Sequence, residues 1–355
     1  MLQRAMTRAF ATLCLLVLSC AAAWIADRLS LPLPYMLGPL VSSGAVAILV
    51  SARLPVNYQF PGWLRLTFIT VIGLMIGAQV TPELFANAGR LAISFAALTL
   101  FVGLCLAFNY AVFRRLGRYD PATAFYCSTP GGLYESLALG EAAGADPARL
   151  TLQQFLRVIL VVTALPIALS LWLGAPVGSA GGMTLARPDV PWSDLPWIIS
   201  AGIGGIVAGR VLRLPAGQIT GPMAVAAALS LTGVYHVDVP QWLVNAAQIV
   251  VGTALGMRFA GLNRGLILRG VGLSVISVGG MLALAALFAA LLAPLTDQPF
   301  TVMLISFAPG GVTEMALVAL SLQANPAYVT LHHIYRILIT VIGLALSAAP
   351  LRRRL

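Results

Sequence analysis

Two short motifs combine helix-breaking residues with a carboxyl group in a chain that is otherwise strongly apolar. Each motif consists of Pro, Gly and Gly, followed by Glu at the third position after the second Gly. The first copy comprises Pro130, Gly131, Gly132 and Glu135, and the second comprises Pro309, Gly310, Gly311 and Glu314. Pro removes a backbone donor and Gly-Gly permits non-helical dihedral angles, so each motif predicts a broken helix. A glutamate beside such a break could carry a proton.

A basic residue follows each break on the next apolar segment, three positions after another polar side chain. These pairs are Gln154 with Arg157, and His333 with Arg336. Positions three apart share one face of a helix. Ionisable groups at membrane depth are costly and are candidates for function. An arginine could bind an anion, and His333, with an ordinary pKa of about 6.5, could carry a proton. The alternative is that each Glu neutralises the Arg of its own repeat and pins the broken segment.

The composition places these motifs in a membrane. Of 355 residues, 59% are hydrophobic and 9% are charged, whereas soluble domains carry about 25% charged residues. Apolar runs such as 93–113 and 271–292 reach the roughly 20 residues that a membrane-spanning helix needs. The net charge of +10 comes from arginines scattered between these runs. That distribution is typical of positive-inside topology signals and leaves no soluble basic face for nucleic acid.

Further matches at the same offset as the two motifs indicate that the whole chain is duplicated. Pro61 and Trp63 recur as Pro240 and Trp242. We predict repeat 1 at 1–174, a linker at 175–196 and repeat 2 at 197–355. The predicted spans are 10–26, 35–52, 63–80, 91–113 and 152–173 in repeat 1, and 197–213, 219–235, 242–258, 267–292 and 329–349 in repeat 2. The broken segments are 121–146 and 300–325. A second doubled motif, Gly38-Pro39 and Gly221-Pro222, predicts close helix packing or another break.

The arginines also predict the orientation of the repeats. Arg114, Arg115 and Arg118 follow the fourth span of repeat 1, whereas the equivalent loop of repeat 2 holds Asp297. The bias is reversed in the loop after the third span, where repeat 2 carries Arg258, Arg264 and Arg269. We therefore predict an all-α integral membrane protein with two inverted repeats, each of about five spanning helices plus one broken, re-entrant segment. The alternative is twelve full spans in parallel repeats. The positive-inside rule predicts the bacterial inner membrane, with both termini cytoplasmic.

Doubled motifs carry a resemblance to a known family. Two copies of L-P-x-x-x-x-x-G-P, at Leu31–Pro39 and Leu214–Pro222, and two of P-G-G-x-x-E resemble the AbrB membrane protein family of Gram-negative bacteria over essentially the whole chain. The resemblance implies a role in regulating gene expression, and members are often labelled ammonia monooxygenases. An ammonia monooxygenase needs a metal cluster with several His or carboxylate ligands. Three histidines, two of them adjacent, do not supply one. We predict neither an enzyme nor a metal or cofactor.

Inverted repeats with broken helices are typical of secondary transporters. We therefore predict a transporter or exporter of a small, unidentified solute, with H⁺ as a candidate coupling ion and any effect on gene expression indirect. The alternatives are a non-transporting membrane protein that regulates expression through a partner and, third, a membrane enzyme. The predicted surroundings are membrane lipid, without nucleic acid, and a homodimer is one option for assembly.

Overall fold

A computed structural model describes residues 2–50, 53–55, 58–82, 88–175, 177, 194–214, 216–261, 264–322 and 324–352. Within these ranges the chain forms fourteen α-helices and no strand, so the predicted all-α fold is confirmed. Most of the predicted linker lies outside the described residues. The helices are α1 Leu2–Arg28, α2 Pro34–Leu49, α3 Gly62–Ala78, α4 Ala88–Ala111, α5 Pro121–Cys127, α6 Leu133–Ala142, α7 Pro147–Leu173, α8 Leu195–Val211, α9 Gly217–Leu231, α10 Gln241–Gly256, α11 Arg264–Thr296, α12 Phe300–Phe307, α13 Val312–Ser321 and α14 Pro326–Arg352.

Five helices in the described part of the chain are long and apolar enough to cross a membrane. They are α1, α4, α7, α11 and α14. The other predicted spans, α2, α3, α8, α9 and α10, have 15 to 17 residues and cover about 22 to 26 Å. Large apolar side chains are exposed along both groups, for example Leu171 at 80% and Val211 at 73%. An apolar exterior of this extent belongs in lipid, so the chain is an integral membrane protein.

The duplication is visible in the helix boundaries themselves. Helices α13 and α14 begin and end at the positions of repeat 2 that are equivalent to the boundaries of α6 and α7 in repeat 1. Boundaries depend on local breakers and caps, so their repetition means that both copies use the same local signals. In each copy a proline opens the last long helix, Pro147 in α7 and Pro326 in α14. Proline suits the first turn because its missing N–H has no partner there in any case.

The chain divides into two compact units, and each unit contains helices from both repeats. Unit 1 comprises 1–82, 165–262 and 316–327, and therefore holds α1 to α3 and α8 to α10. Unit 2 comprises 83–164, 263–315 and 328–355, and holds α4 to α6, α11, α12 and most of α14. The compact units thus cut across the two sequence repeats.

In unit 1 the third helix of each repeat packs against the second helix of the other. A methyl group at Gly77 of α3 would lie 2.2 Å from the carbonyl oxygen of Met223 on α9. One at Gly256 of α10 would lie 2.4 Å from that of Leu40 on α2. One turn earlier the same contacts join Gly73 with Ile219 and Gly252 with Met36. Such reciprocal contacts are those of a twofold arrangement, so the repeats are related by a pseudo-twofold axis within this unit.

The doubled Gly-Pro motif belongs to this packing. A methyl group at Gly38 would lie 2.5 Å from the carbonyl oxygen of Ala22 on α1, and one at Gly221 would lie 2.1 Å from that of Gly205 on α8. Helices α2 and α9 continue through Pro39 and Pro222. Of the two sequence hypotheses, close packing therefore describes this motif, and no second break forms.

Substitution of Gly77 by Val tests this packing. The added side chain cannot fit against backbone of α9, so α3 and α9 must separate. We expect a loss of at least about 3 kcal/mol in the free energy of unfolding, measured by titrating denaturing detergent into mixed micelles. Gly103→Val is the matched control, because no atom lies within 4 Å of a methyl group at that exposed position of α4. Equal stability of the two variants would contradict the packing.

In unit 2 the equivalent helices α4 and α11 run antiparallel. The start of α4 contacts the end of α11, and the end of α4 contacts the start of α11. In order the contacts are Arg90 with Asp297 (3.0 Å), Phe101 with Phe288 (ring centroids 5.6 Å apart), Asn109 with Ser277 (2.7 Å) and the Gly117 methyl position with Leu273 (3.0 Å). Helices at the same place in the two repeats therefore point in opposite directions, which is the predicted inversion.

Candidate functional site

The first broken segment forms a helical hairpin. Asp120 caps α5 by accepting a hydrogen bond from the N–H of Thr123 (2.9 Å), and Gly132 begins α6 with a φ of 60°, a conformation that glycine adopts without strain. After the break the chain returns, because the N–H of Asp146 donates to Oγ1 of Thr123 (2.7 Å). A continuous helix would separate those residues by about 35 Å. The re-entrant interpretation is therefore correct for the first segment.

The second segment has the same course and enters unit 2 from the opposite end. Thr296 lies at the end of α11, and its hydroxyl contacts Sδ of Met303 near the start of α12 (3.6 Å). Tyr328, at the start of α14, donates to the same sulfur (3.6 Å), so the chain has returned. The first hairpin begins at the other end of α11, where Tyr119 accepts a hydrogen bond from Gln153 (3.1 Å), whose amide also donates to the carbonyl of Gly270 (3.3 Å).

Each arginine caps the first half-helix of its own hairpin. Arg336 is 1% exposed, and its guanidinium donates to the carbonyls of Phe307 (3.4 Å), Ala308 and Gly310 (2.8 Å). Arg157 donates to the carbonyl of Thr129, which is the equivalent of Ala308 in repeat 1. The last carbonyls of a helix have no partner within the helix and carry partial negative charge. The breaks therefore produce acceptors, and the arginines satisfy them.

Gln154 and His333 occupy equivalent positions and make equivalent contacts. The amide of Gln154 donates to the carbonyl of Tyr126 (2.8 Å), and Nε2 of His333 lies 2.9 Å from the carbonyl of Ile305. Nε2 must carry a hydrogen to donate there, which leaves Nδ1 as the acceptor for Nη2 of Arg336 (2.9 Å). A second proton would remove that acceptor and place two cations side by side. This geometry therefore holds His333 neutral, and it positions Arg336.

Each glutamate lies at the third residue of the second half-helix, where it covers the helix start. Oε2 of Glu314 lies 1.9 Å from the place where a methyl group at Gly311 would be, and it accepts a hydrogen bond from the Thr313 hydroxyl (2.9 Å). Oε2 of Glu135 lies 3.5 Å from the methyl position of Gly132. A carboxylate at this position stabilises the positive end of the helix dipole. The spacing of Pro-Gly-Gly-x-x-Glu thus has a local structural cause.

The two hairpin tips meet on α14. A methyl group at Gly131 would lie 3.3 Å from Oγ1 of Thr340 and 3.6 Å from Nε of Arg336. Arg157 donates to the carbonyl of Thr129, two residues before Gly131, so both arginines lie at this junction. Each arginine is ten residues into its 27-residue helix, or about 15 Å from the helix start. That is half the thickness of a hydrocarbon core of about 30 Å.

The junction of the two hairpin tips, where Arg157 and Arg336 lie, contains buried polar atoms without a hydrogen-bond partner. Within the residues that the structure describes, neither Arg157 nor Arg336 forms an ion pair with a carboxylate. Nε of each is buried without a hydrogen-bond partner, as is Oε1 of Gln154. The Glu–Arg pairing considered from the sequence is therefore not formed among these residues; backbone carbonyls take the place of the carboxylates. Unpaired buried donors beside two cations favour an anion as the missing partner.

Several polar residues around the hairpins were not singled out from the sequence. Thr129 and Ser136 join the two arms of the first hairpin (2.7 Å). Ser274 on α11 donates to Gln153, and Nε2 of His332 contacts Ser94 on α4 (2.8 Å). Gln153 and His332 occupy equivalent positions of the two repeats. Comparing polar positions between the repeats could therefore have identified Gln153 and His332 as one equivalent pair.

Comparison with known proteins agrees with this duplicated architecture. The family described as "Transition state regulatory protein AbrB" matches residues 41–351. A protein of Bacillus subtilis (strain 168) with the name "Uncharacterized protein YhjN" is 25% identical over 348 residues, which cover 92% of this chain and 89% of that protein. A protein of Escherichia coli (strain K12) with the name "Putative regulator AbrB" is 26% identical over 320 residues, or 89% of each chain. The family match includes both broken segments and both arginines, and the chain therefore belongs to the AbrB family.

Proposed function

We propose that this protein is a secondary transporter of a small solute that carries an anionic group. The observation that carries the proposal is the meeting of two oppositely directed helical hairpins beside two buried arginines. Irregular backbone at membrane depth is stable only inside protein or along a water-filled cavity. Breaks at corresponding places in inverted repeats are the best structural indication of a transport site.

The charge of the junction supports an anionic solute. Two buried guanidinium groups without a carboxylate ion pair cost free energy, which carbonyl dipoles offset only in part. An anion between Arg157 and Arg336 would lower that cost and could use their unpaired Nε donors. Arg157 donates to one described carbonyl, whereas Arg336 donates to three, so Arg157 has more donors left for an anion. A bound anion would thus contact Arg157 first, while Arg336 holds the second hairpin.

The inner membrane, with cytoplasmic termini, is the location that best fits the arginine distribution. The end of α4 and the start of α11 lie together in unit 2, and this end carries Arg114, Arg115, Arg118 and Arg269. The opposite end carries the Arg90–Asp297 pair. Under the positive-inside rule the arginine-rich end faces the cytoplasm. Regulation of gene expression would then be an indirect result of moving a solute, and no catalysis is required.

Reconstitution in proteoliposomes tests the proposal. The probes are ¹⁴C-labelled acetate, lactate, succinate and citrate, and the measurement is counterflow into vesicles preloaded with the unlabelled compound. We expect saturable counterflow of at least one probe, and at least a tenfold lower rate for Arg157→Gln. Glutamine in place of Arg157 keeps a polar amide but removes the charge and Nε.

Arg90→Gln is the matched control, because it removes an exposed arginine whose partner Asp297 is also exposed. Its counterflow should equal that of the unaltered protein. Counterflow that is insensitive to Arg157→Gln would contradict the proposed site. Absence of counterflow for every probe, together with unchanged binding of a regulatory partner, would instead favour a non-transporting regulator.

A further inference from the structure

A basic cleft at the arginine-rich end of unit 2 is separate from the hairpin junction. It has a volume of about 540 Å³ and lies between the end of α4, the start of α7 and the start of α11. Its polar walls are Tyr119, Arg149 and Arg269, and its apolar walls are Leu116, Leu266 and Leu273. Gly117, Gly265 and Gly270 complete the lining, and because they have no side chains they leave the cleft open. The combination of two guanidinium groups with leucines is suited to an amphipathic anion.

The two arginines are available to a ligand in different ways. Arg149 is oriented by the ion pair of its Nε with Asp146 (3.2 Å) and by its position over the Tyr119 ring (5.0 Å). These contacts fix the guanidinium and leave its terminal nitrogens without a hydrogen bond to any described residue. Arg269 is exposed and forms no ion pair within the described ranges. One arginine is thus held in place and the other is free to close on a ligand.

The surrounding charge favours an anion. Exposed Arg115, in the short π-helix Val112–Leu116 after α4, and exposed Arg118 lie next to the cleft. The nearby carboxylates are Asp120 and Asp146. Asp146 is already engaged by Arg149 and by the first N–H groups of α7. Phosphate groups bind well to the planar fork of arginine. Basic pockets between membrane helices on the cytoplasmic side hold phospholipid headgroups in this manner.

We propose that this cleft binds the phosphate headgroup of an anionic phospholipid. The leucines identify lipid, rather than free phosphate, as the ligand. In the cleft wall Leu116 is 60% exposed, and Leu266 and Leu273 are partly exposed. An acyl chain can lie along these side chains while the headgroup contacts Arg149 and Arg269. Inorganic phosphate would use the arginines alone and would gain nothing from the apolar walls.

Thermal unfolding of the purified protein in non-ionic detergent tests this site. Dioleoylphosphatidylglycerol is titrated into the micelles, and the unfolding midpoint is followed by tryptophan fluorescence. We expect a saturable rise in the midpoint, absent with dioleoylphosphatidylcholine or with inorganic phosphate. Arg269→Gln should weaken the apparent affinity for phosphatidylglycerol at least tenfold. This measurement does not involve transport, so its failure leaves the proposed function untouched.

Arg115→Gln is the matched control, because it removes one exposed arginine from the same end without altering the cleft wall. Affinity that is unchanged in Arg115→Gln and weakened in Arg269→Gln supports a defined site. Equal weakening in both variants would mean a diffuse electrostatic attraction and would overturn the proposal. A rise in the midpoint with inorganic phosphate as large as that with lipid would also overturn it.

Discussion

Replacing Arg336 by Gln is expected to lower the free energy of unfolding by about 3 to 5 kcal/mol, an effect typical of breaking a buried charged network. The reason is the number of acceptors that depend on one side chain. The Arg336 guanidinium donates to two carbonyls at the end of the first half-helix, to the carbonyl of Gly310 in the break, and to Nδ1 of His333. Each buried acceptor left unsatisfied costs about 1 to 3 kcal/mol. Glutamine is too short and has too few donors to replace these bonds.

Two variants calibrate the measurement, which is a titration of denaturing detergent in mixed micelles. Arg157→Gln should lose less stability, because the described contacts of Arg157 include only the carbonyl of Thr129. Arg90→Gln should lose under about 1 kcal/mol, as expected for an exposed ion pair. If Arg336→Gln were no less stable than Arg90→Gln, the carbonyl contacts would not stabilise the second hairpin and the structural role assigned to Arg336 would be wrong.

The duplication made much of the fold predictable from the sequence. Helix breakers and caps act locally, so a motif that recurs at one spacing repeats its local structure. This is why the breaks after Pro130 and Pro309 were placed correctly, and why α13 and α14 reproduce the boundaries of α6 and α7. Charge bias in the loops then predicted the inversion, which the antiparallel arrangement of α4 and α11 confirms.

The partners of the arginines were not predictable by the same route. Sequence reasoning pairs Arg157 and Arg336 with the nearest acidic residues in the motif, because opposite charges attract. The structure uses carbonyls at the ends of α5 and α12 instead. Those acceptors exist only because the helices stop, and a backbone carbonyl has no signature in the sequence. At the starts of α6 and α13 it is the backbone N–H donors that have no partner within the helix. The glutamates lie at these helix starts.

The division into two units could not be predicted from the sequence, since it depends on contacts between repeats rather than within them.

The residues that support the two hairpins differ between the repeats. Asn109 on α4 donates to the carbonyl of Ser128 (3.3 Å), whereas the equivalent positions of repeat 2 are Phe288 and Phe307, whose rings stack 5.7 Å apart. At this pair of positions a hydrogen bond supports the first hairpin and aromatic packing supports the second. Comparison of the repeats reveals such substitutions, but only the structure shows that they support the same feature.

Glu314→Gln is expected to abolish solute accumulation driven by a pH gradient while leaving the fold intact. Glutamine keeps an oxygen that can accept the hydrogen bond from Thr313 and retains most of the capping interaction at the start of α13. Only the charge near the helix start is lost, which is worth about 0.3 to 1 kcal/mol, or up to about 2 when partly buried. A carboxylate that serves purely as a cap can therefore be replaced at little cost, whereas one that carries a proton cannot.

The measurement is uptake of the labelled carboxylate identified by counterflow, with and without an imposed pH gradient. We expect the gradient-driven component to fall at least tenfold in Glu314→Gln, whereas counterflow without a gradient persists. Glu135→Gln gives the same test for the equivalent position, and Glu141→Gln, an exposed site on α6, is the matched control. Normal gradient-driven uptake in both Glu135→Gln and Glu314→Gln would assign the two carboxylates to helix capping alone. Proton coupling would then require another proton-carrying group. His333 could not be that group while both nitrogens of its ring are engaged by Arg336 and Ile305.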